Sequence, residues 1–189
     1  VLDEYDPIDK ELLEQIQQVV AAQPKIAVFL HTATINNYEH INNEMLNVIK
    51  SYGLLDAAEK VFLGVVGDGP INLPYESDKV HVVRLSDNPK DGEIPTVDLM
   101  QRFCLGHPDY IVIKGHCAGT KSGNDGQGNY GDPKMPWWRY FVYYMTFIDY
   151  KRSLELIDEG ADVVGIEVYD DPVKHVSGTH YMAKASFIN

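Results

Sequence analysis

The chain has little cysteine. Cys104 and Cys117 are its two, and they form no set of framework spacings. A disulfide-stapled scaffold is excluded, and free thiols in a reducing compartment are the simplest account. Long apolar runs are also missing, since none approaches the roughly 20 residues of a membrane span. No basic, apolar, small-residue leader stands before Asp3. The expectation is a cytoplasmic protein with no membrane span. Positive charge is scarce, with 16 Lys and Arg against 28 Asp and Glu, a net charge of −12. A field of that sign repels polyanions and argues against nucleic acid as a partner. It leaves room for a small phosphate ligand on a local basic patch.

Several catalytic fingerprints are absent as well. Gly67-Asp68-Gly69 follows a strand pattern, yet there is no G-x-x-x-x-G-K-[ST] and no G-x-G-x-x-G. No G-x-S-x-G elbow occurs either. Nucleotide triphosphatase, kinase, dehydrogenase and serine-hydrolase readings fall with them. Cys104, His107, His116 and Cys117 have the composition of a zinc site. However, His107 precedes one strand pattern and His116 follows it, which sets them on the order of 20 Å apart.

What is present alternates between strand and helix. Ile8, Leu12, Leu13, Ile16, Val19 and Val20 recur at helical spacing within 1–24. Lys25–His31 reads as a strand buried on both faces, because its apolar residues run without alternation. A helix is expected over about 37–52, stopped by Gly53. Strands are expected over 60–66 and 79–85, the latter near an edge because it alternates in part. Thr96 is expected to cap a helix over 97–105, followed by a strand over 109–113. One long helix spans 137–159 and a strand spans 161–168. Partial alternation over 175–188 predicts one or two final strands. The pattern predicts a single α/β domain over 1–189, with an N-terminal helix (1–24) and a core (25–189). Its sheet is mainly parallel and flanked by helices.

Such a sheet brings the loops after its strands to one edge. These loops hold His31 and Thr32, Asp68, His116 and Lys121, and Asp170 and Asp171. The gathering of polar residues after four strands is the main functional signal. The longest of these loops, roughly twenty residues after the fourth strand, is rich in glycine, as functional or solvated insertions are. Lys114, Lys121, Lys134 and Arg139 offer positive charge for a diphosphate, or are simply solvated. Asp170-Asp171-Pro172 supplies a carboxylate base or a turn. His175, Ser177, Gly178 and His180 suit a sugar, and an edge strand with polar residues gives the same string. Trp137 and Trp138 read as a stacking wall or as a helix start anchored in the core.

Ordered motifs carry a resemblance. They are an opening strand with a polar turn (26–34), Leu63–Gly69, Thr120-Lys121-Ser122-Gly123, and a helix bearing Trp138, Arg139 and Tyr144. Asp162–Gly165 follows, and then His175, Ser177, Gly178 and Ala183. In this order the chain resembles bacterial and viral glycosyltransferase-like proteins with a GT-A type fold. The resemblance covers nearly everything after Lys25. It implies a nucleotide-sugar donor with its nucleotide near His31, Thr32, Ala33 and Asp68, and its sugar-phosphate near Lys121, with Lys114 and Arg139 as further cations. It implies a glycan acceptor near Trp137, His175, Ser177, Gly178 and His180. For an inverting reaction it implies a base among Asp170, Asp171 and Glu167. GT-A enzymes hold Mn²⁺ or Mg²⁺ on a D-x-D after the fourth strand. Here that place reads Lys114-Gly115-His116-Cys117. Either lysine takes over the countercharge, or His116 with Asp68 forms an atypical metal site. The alternative function is a catalytically degenerate sugar- or nucleotide-binding module within a larger glycan-assembly protein.

Overall fold

The computed structural model describes residues 24–117, 135–166, 168–169, 175–176 and 180–188. Strand β1 (Lys25–Ala33) leads to helix α1 (Tyr38–Ser51) and the short α2 (Leu54–Ala57). Strands β2 (Lys60–Val66) and β3 (Val80–Ser86) follow, then α3 (Ile94–Gly106) and β4 (Tyr110–His116). Helix α4 (Met135–Tyr143) passes through a π-helical turn (Tyr144–Ile148) into α5 (Tyr150–Asp158). The chain closes through β5 (Val163–Gly165), β6 (Val168–Tyr169), β7 (His175–Val176), β8 (Tyr181–Lys184) and α6 (Ala185–Ile188).

The main sheet has six strands in the order β3-β2-β1-β4-β8-β5. The pairs β1–β2, β1–β4 and β2–β3 are parallel, whereas β8 runs antiparallel to both β4 and β5. The sheet is therefore mixed and mostly parallel. Strand β1 lies in its middle, as its unbroken apolar run requires, and Ile26 to Leu30 are at most 2% exposed. Strand β3 forms one edge, in keeping with its partial alternation. Strands β6 and β7 make a separate antiparallel pair, Val168 opposite Val176 and Tyr169 opposite His175.

Apolar residues fill both faces. On one, Val28, Leu30, Ile111 and Ile113 pack with Ile41, Met45 and Ile49 of α1 and with Val142, Tyr143 and Phe147. On the other, Ala27, Phe29 and Val112 pack with Met100 and Cys104 of α3. Each Leu, Ile or Phe so buried contributes roughly 1.5–3 kcal/mol. Both cysteines are free and buried. Among the described residues, no helix is long and apolar enough to cross a membrane.

Three expectations are corrected. Helix α3 begins at Ile94 with Glu93 at its N-cap position, so Thr96 lies inside the helix instead of capping it. The long helix expected over 137–159 is interrupted by the π-helical turn. The strand expected over 161–168 shortens to Val163–Gly165, with Val168–Tyr169 pairing elsewhere. The N-terminal helix expected within 1–24 and the glycine-rich loop after Cys117 fall outside the described residues, apart from Pro24.

Gly115 marks a close approach. A Cβ at this position would overlap the Phe147 ring, with the His180 ring also in contact. Phe147 is fully buried and cannot swing away. Gly115→Ala is expected to destabilise the fold by about 1–3 kcal/mol, the usual cost of overpacking, read as a lowered urea midpoint at unchanged slope.

Candidate functional site

Strand β1 continues toward β2 on one side, while β4 continues toward β5 on the other. The connections diverge between β1 and β4, where open α/β sheets form a crevice beyond the carboxyl ends of the strands. His31 and His116 are register partners across that junction.

Two polar layers meet there, one on each face of the sheet. On the α3 face, Lys114 donates to Glu93 Oε2 at 2.6 Å, and His116 Nδ1 lies 3.7 Å from Glu93 Oε1. His31 Nδ1 is 2.9 Å from the Thr96 hydroxyl. Helix α3 explains the convergence. Its first turn presents Glu93 and Thr96 three residues apart, on one side of the helix. A carboxylate at a helix N-terminus is also favoured by the macrodipole. Burial drives the His31 pKa from 6.5 down to about 4. Glu93 opposes that shift, while Lys114 and His116 reinforce it, so the ring is neutral at neutral pH. Burial likewise lowers the Lys114 pKa, and the Glu93 carboxylate works against it.

On the opposite face, the Thr32 hydroxyl donates to Asn42 Oδ1 at 3.0 Å and lies 2.7 Å from Cys117 Sγ. Thr32 spends its one proton on Asn42, so the thiol donates to Thr32. Burial keeps that thiol protonated, with its pKa pushed up to about 12. Arg139, 3% exposed, donates from Nε and Nη2 to the two Glu44 oxygens, each at 2.9 Å. This fork ties α4 to α1.

A third part lies at the tip of β2. Gly67 takes φ +96°, and any Cβ there would meet the Thr34 hydroxyl. Gly69 N–H donates to Thr34 Oγ1 at 3.1 Å, Tyr38 donates to the Pro70 carbonyl at 2.8 Å, and Arg84 donates to the Gly67 and Gly69 carbonyls. The Thr34 and Tyr38 bonds join the turn after β2 to the chain after β1, the Arg84 bonds tie the same turn to β3, and Asp68 is left exposed.

The structure thus brings His31, Thr32, Ala33, Lys114 and His116 to one junction, with Asp68 at the neighbouring strand end. His180 joins them, fully buried, its ring 4.6 Å from that of His116. Lys114 and Arg139 are each committed to an internal carboxylate. Trp137 is 79% exposed on α4, two residues ahead of Arg139, while Trp138 is half-buried against the core. Of the pair, Trp138 is the anchor. His107 stacks on Phe103, before β4. Lys121, Glu167, Asp170, Asp171, Ser177 and Gly178 lie outside the described residues. His175 is described only as a member of β7.

Sequence reasoning missed Glu93, Asn42 and Glu44. A signal for Glu93 existed, since Pro95 sits in the first turn of a helix and marks the acidic residue just before it as a helix start. Among the described residues, no group of three or more His, Cys, Asp or Glu side chains is placed to hold a metal ion. The metal role expected of His116 therefore has no ligand set among them, and Asp68 does not complete one.

No protein-family model matches the chain. A search of curated proteins finds no match either.

Proposed function

We propose that the chain is a GT-A type glycosyltransferase. It binds a nucleotide-diphosphate sugar at the carboxyl ends of β1 and β4 and transfers the sugar to a hydroxyl of a glycan. The observation that carries this reading is the reversal of strand order between β1 and β4, with His31 and His116 paired across it. Ligands of open α/β sheets occupy that position. Asp68, exposed on a braced turn next to β1, suits the hydrogen-bonding edge of a base or a ribose hydroxyl. Lys121, in the chain between Cys117 and α4, is the cation assigned to the diphosphate. The rate gain comes from stabilising the departing diphosphate and from removing the acceptor's proton.

A thermal-shift panel of nucleotide sugars, with and without Mn²⁺, tests the reading. A ligand that binds only the native state at 100 times its Kd adds about 2.7 kcal/mol and raises the Tm. At least one donor is expected to do so, and the matching free nucleoside is expected to do so less. If no donor shifts the Tm, the reading is lost.

A second reading is a binding module of the same fold without turnover. It is favoured by the pairing of Lys114 with Glu93 and of Arg139 with Glu44, which commits two expected phosphate-binding cations to the protein itself. Under this reading the donor raises the Tm but is neither hydrolysed nor consumed by any acceptor.

A further inference from the structure

The outer face of α4 is aromatic. Trp137, Tyr140, Phe141 and Tyr144 are all exposed, from 45% to 79%. Positions 137, 140 or 141, and 144 share one side of a helix, while Arg139, Val142 and Tyr143 share the other and are buried. A surface helix normally turns charged side chains outward. In α4 the charged residue, Arg139, is turned inward onto Glu44. The second half of the same crossover is ordinary. There α5 exposes Lys151, Arg152, Glu155 and Asp158. The aromatic stripe is thus confined to the first half.

That half lies toward the candidate site. Strand β5 runs parallel to β4, because β8 is antiparallel to both. The crossover between them therefore starts at the carboxyl edge of the sheet and finishes at the amino edge. Its finish agrees, since Ile157 and Gly160 line one cavity with Pro24 and Asp109, which stand just ahead of β1 and β4. Its start agrees too, since the Arg139 charge acts on the thiol of Cys117, just past β4.

The chemistry of the stripe selects its partner. Helical rise sets rings three or four residues apart at about 4.5–6 Å, close to one sugar unit of a glycan chain. Ring faces pack on the C–H faces of a sugar, and the phenol and indole tips reach its hydroxyls. The net charge of −12 repels nucleic acid and anionic membrane, and works against a second copy of the same sign. A neutral sugar chain meets no such repulsion.

We propose that α4 is a track for a neutral glycan. Trp137, then Tyr140 or Phe141, then Tyr144 stack on successive sugars and lead the chain end to the β1–β4 junction. This rests on the transferase reading above and names its acceptor as a neutral glycan long enough to span every ring position.

The experiment titrates the protein, with no donor present, with malto-, cello-, chito- and manno-oligosaccharides of increasing length. Tryptophan emission and calorimetry follow binding. At least one series is expected to bind, with affinity rising as units are added until the stripe is covered. Trp137→Ala and Tyr144→Ala are each expected to weaken the longest member by about 3–10-fold, the effect of one stacked ring, at an unchanged urea midpoint. Tyr144→Phe keeps the ring and is expected to bind like the wild type. Binding by no series, affinity independent of length, or undiminished binding by both alanine variants overturns the track. So does a preference for an anionic oligogalacturonate. Acrylamide is expected to quench Trp137 in the sugar-free protein, read as the difference from Trp137→Phe. Protection there overturns the track, because the stripe is then already covered by a second copy or another segment of the chain. If Tyr144→Ala does not fold, Trp137→Ala, at the most exposed position, decides. Sugar binding without any donor-dependent rise in Tm removes the transferase reading and keeps the stripe as a glycan surface. A donor-dependent rise without sugar binding does the reverse.

Discussion

Glu93→Ala is expected to destabilise the protein by about 3–5 kcal/mol, the cost of stranding one partner of a buried ion pair. The Lys114 side chain is 1% exposed, and its ammonium has the Glu93 carboxylate at 2.6 Å. Without that carboxylate the lysine must lose its proton or draw water into the α3 face of the sheet. The reverse truncation costs less. Glu93 is 28% exposed and sits at a helix N-terminus, so after Lys114→Met it can be solvated and still interact with the α3 dipole. About 1 kcal/mol is expected for that change. The double variant removes both charges and should recover most of the loss, since replacing a whole buried pair by apolar groups is often neutral. Urea unfolding of the four proteins gives the coupling directly. The pH dependence has a definite sign. Burial lowers the Lys114 pKa, so the unfolded chain holds that proton to higher pH than the native protein does. Stability tied to this group therefore rises with pH between the lowered value and 10.5, and does so over a wider span of pH in Glu93→Ala. A loss below about 1 kcal/mol in Glu93→Ala would mean that the ammonium is not buried on this carboxylate.

Much of this fold was legible because local pattern and tertiary place agreed. Strand β1 carries apolar residues on both faces and lies in the middle of the sheet. Strand β3 alternates and lies at an edge. Gly53 and Gly160 follow helix ends and take left-handed φ of 79° and 114°, the conformation that made them readable as stops. Where the reading failed, the deciding contact was distant. Thr96 looks like a cap, but its hydroxyl is taken by His31, 65 residues away in sequence, and the helix starts earlier. The π-helical turn leaves no mark in composition, because residues 137–159 contain no proline or glycine and their apolar spacing continues through it. The antiparallel course of β8 was hidden for another reason, since alternation reports a buried face and says nothing of direction.

The site was legible to the same degree. Its strand-end members His31, Thr32, Asp68 and His116 follow from topology, since residues after parallel strands share one edge. Their partners do not. Nothing near Lys114 in the sequence says that its amine is bound to Glu93, 21 residues upstream. Nothing near Arg139 points to Glu44, 95 residues away. A lysine and an arginine that read as phosphate cations are each paired with a carboxylate from another layer of the fold. Charge type alone does not separate the two roles. Burial does, because a fully buried ammonium requires a carboxylate within reach.

His31 should make the protein acid-sensitive in a defined window. Its pKa is lowered from 6.5 to about 4, chiefly because burial penalises the charged ring, with Lys114 and His116 adding to the effect and Glu93 opposing it. The ring is 5% exposed, so solvent screening is slight. Between these two values the unfolded chain binds the proton and the native protein does not, so protonation favours unfolding. The contribution is fully present above pH 6.5 and is lost as pH falls to about 4. At about 1.36 kcal/mol per pKa unit, the loss is on the order of 3 kcal/mol. Other groups titrate over the same range, so the comparison needs a variant that keeps the Thr96 contact without titrating. His31→Gln offers an amide to the same hydroxyl. It is expected to be less stable than the wild type at pH 7, and the gap should close by about 3 kcal/mol on going to pH 4. Urea midpoints at half-unit steps of pH give the two curves. Parallel curves across the whole range would show that His31 is protonated as easily in the native protein as in the unfolded chain, and would refute its burial as a neutral ring on Thr96.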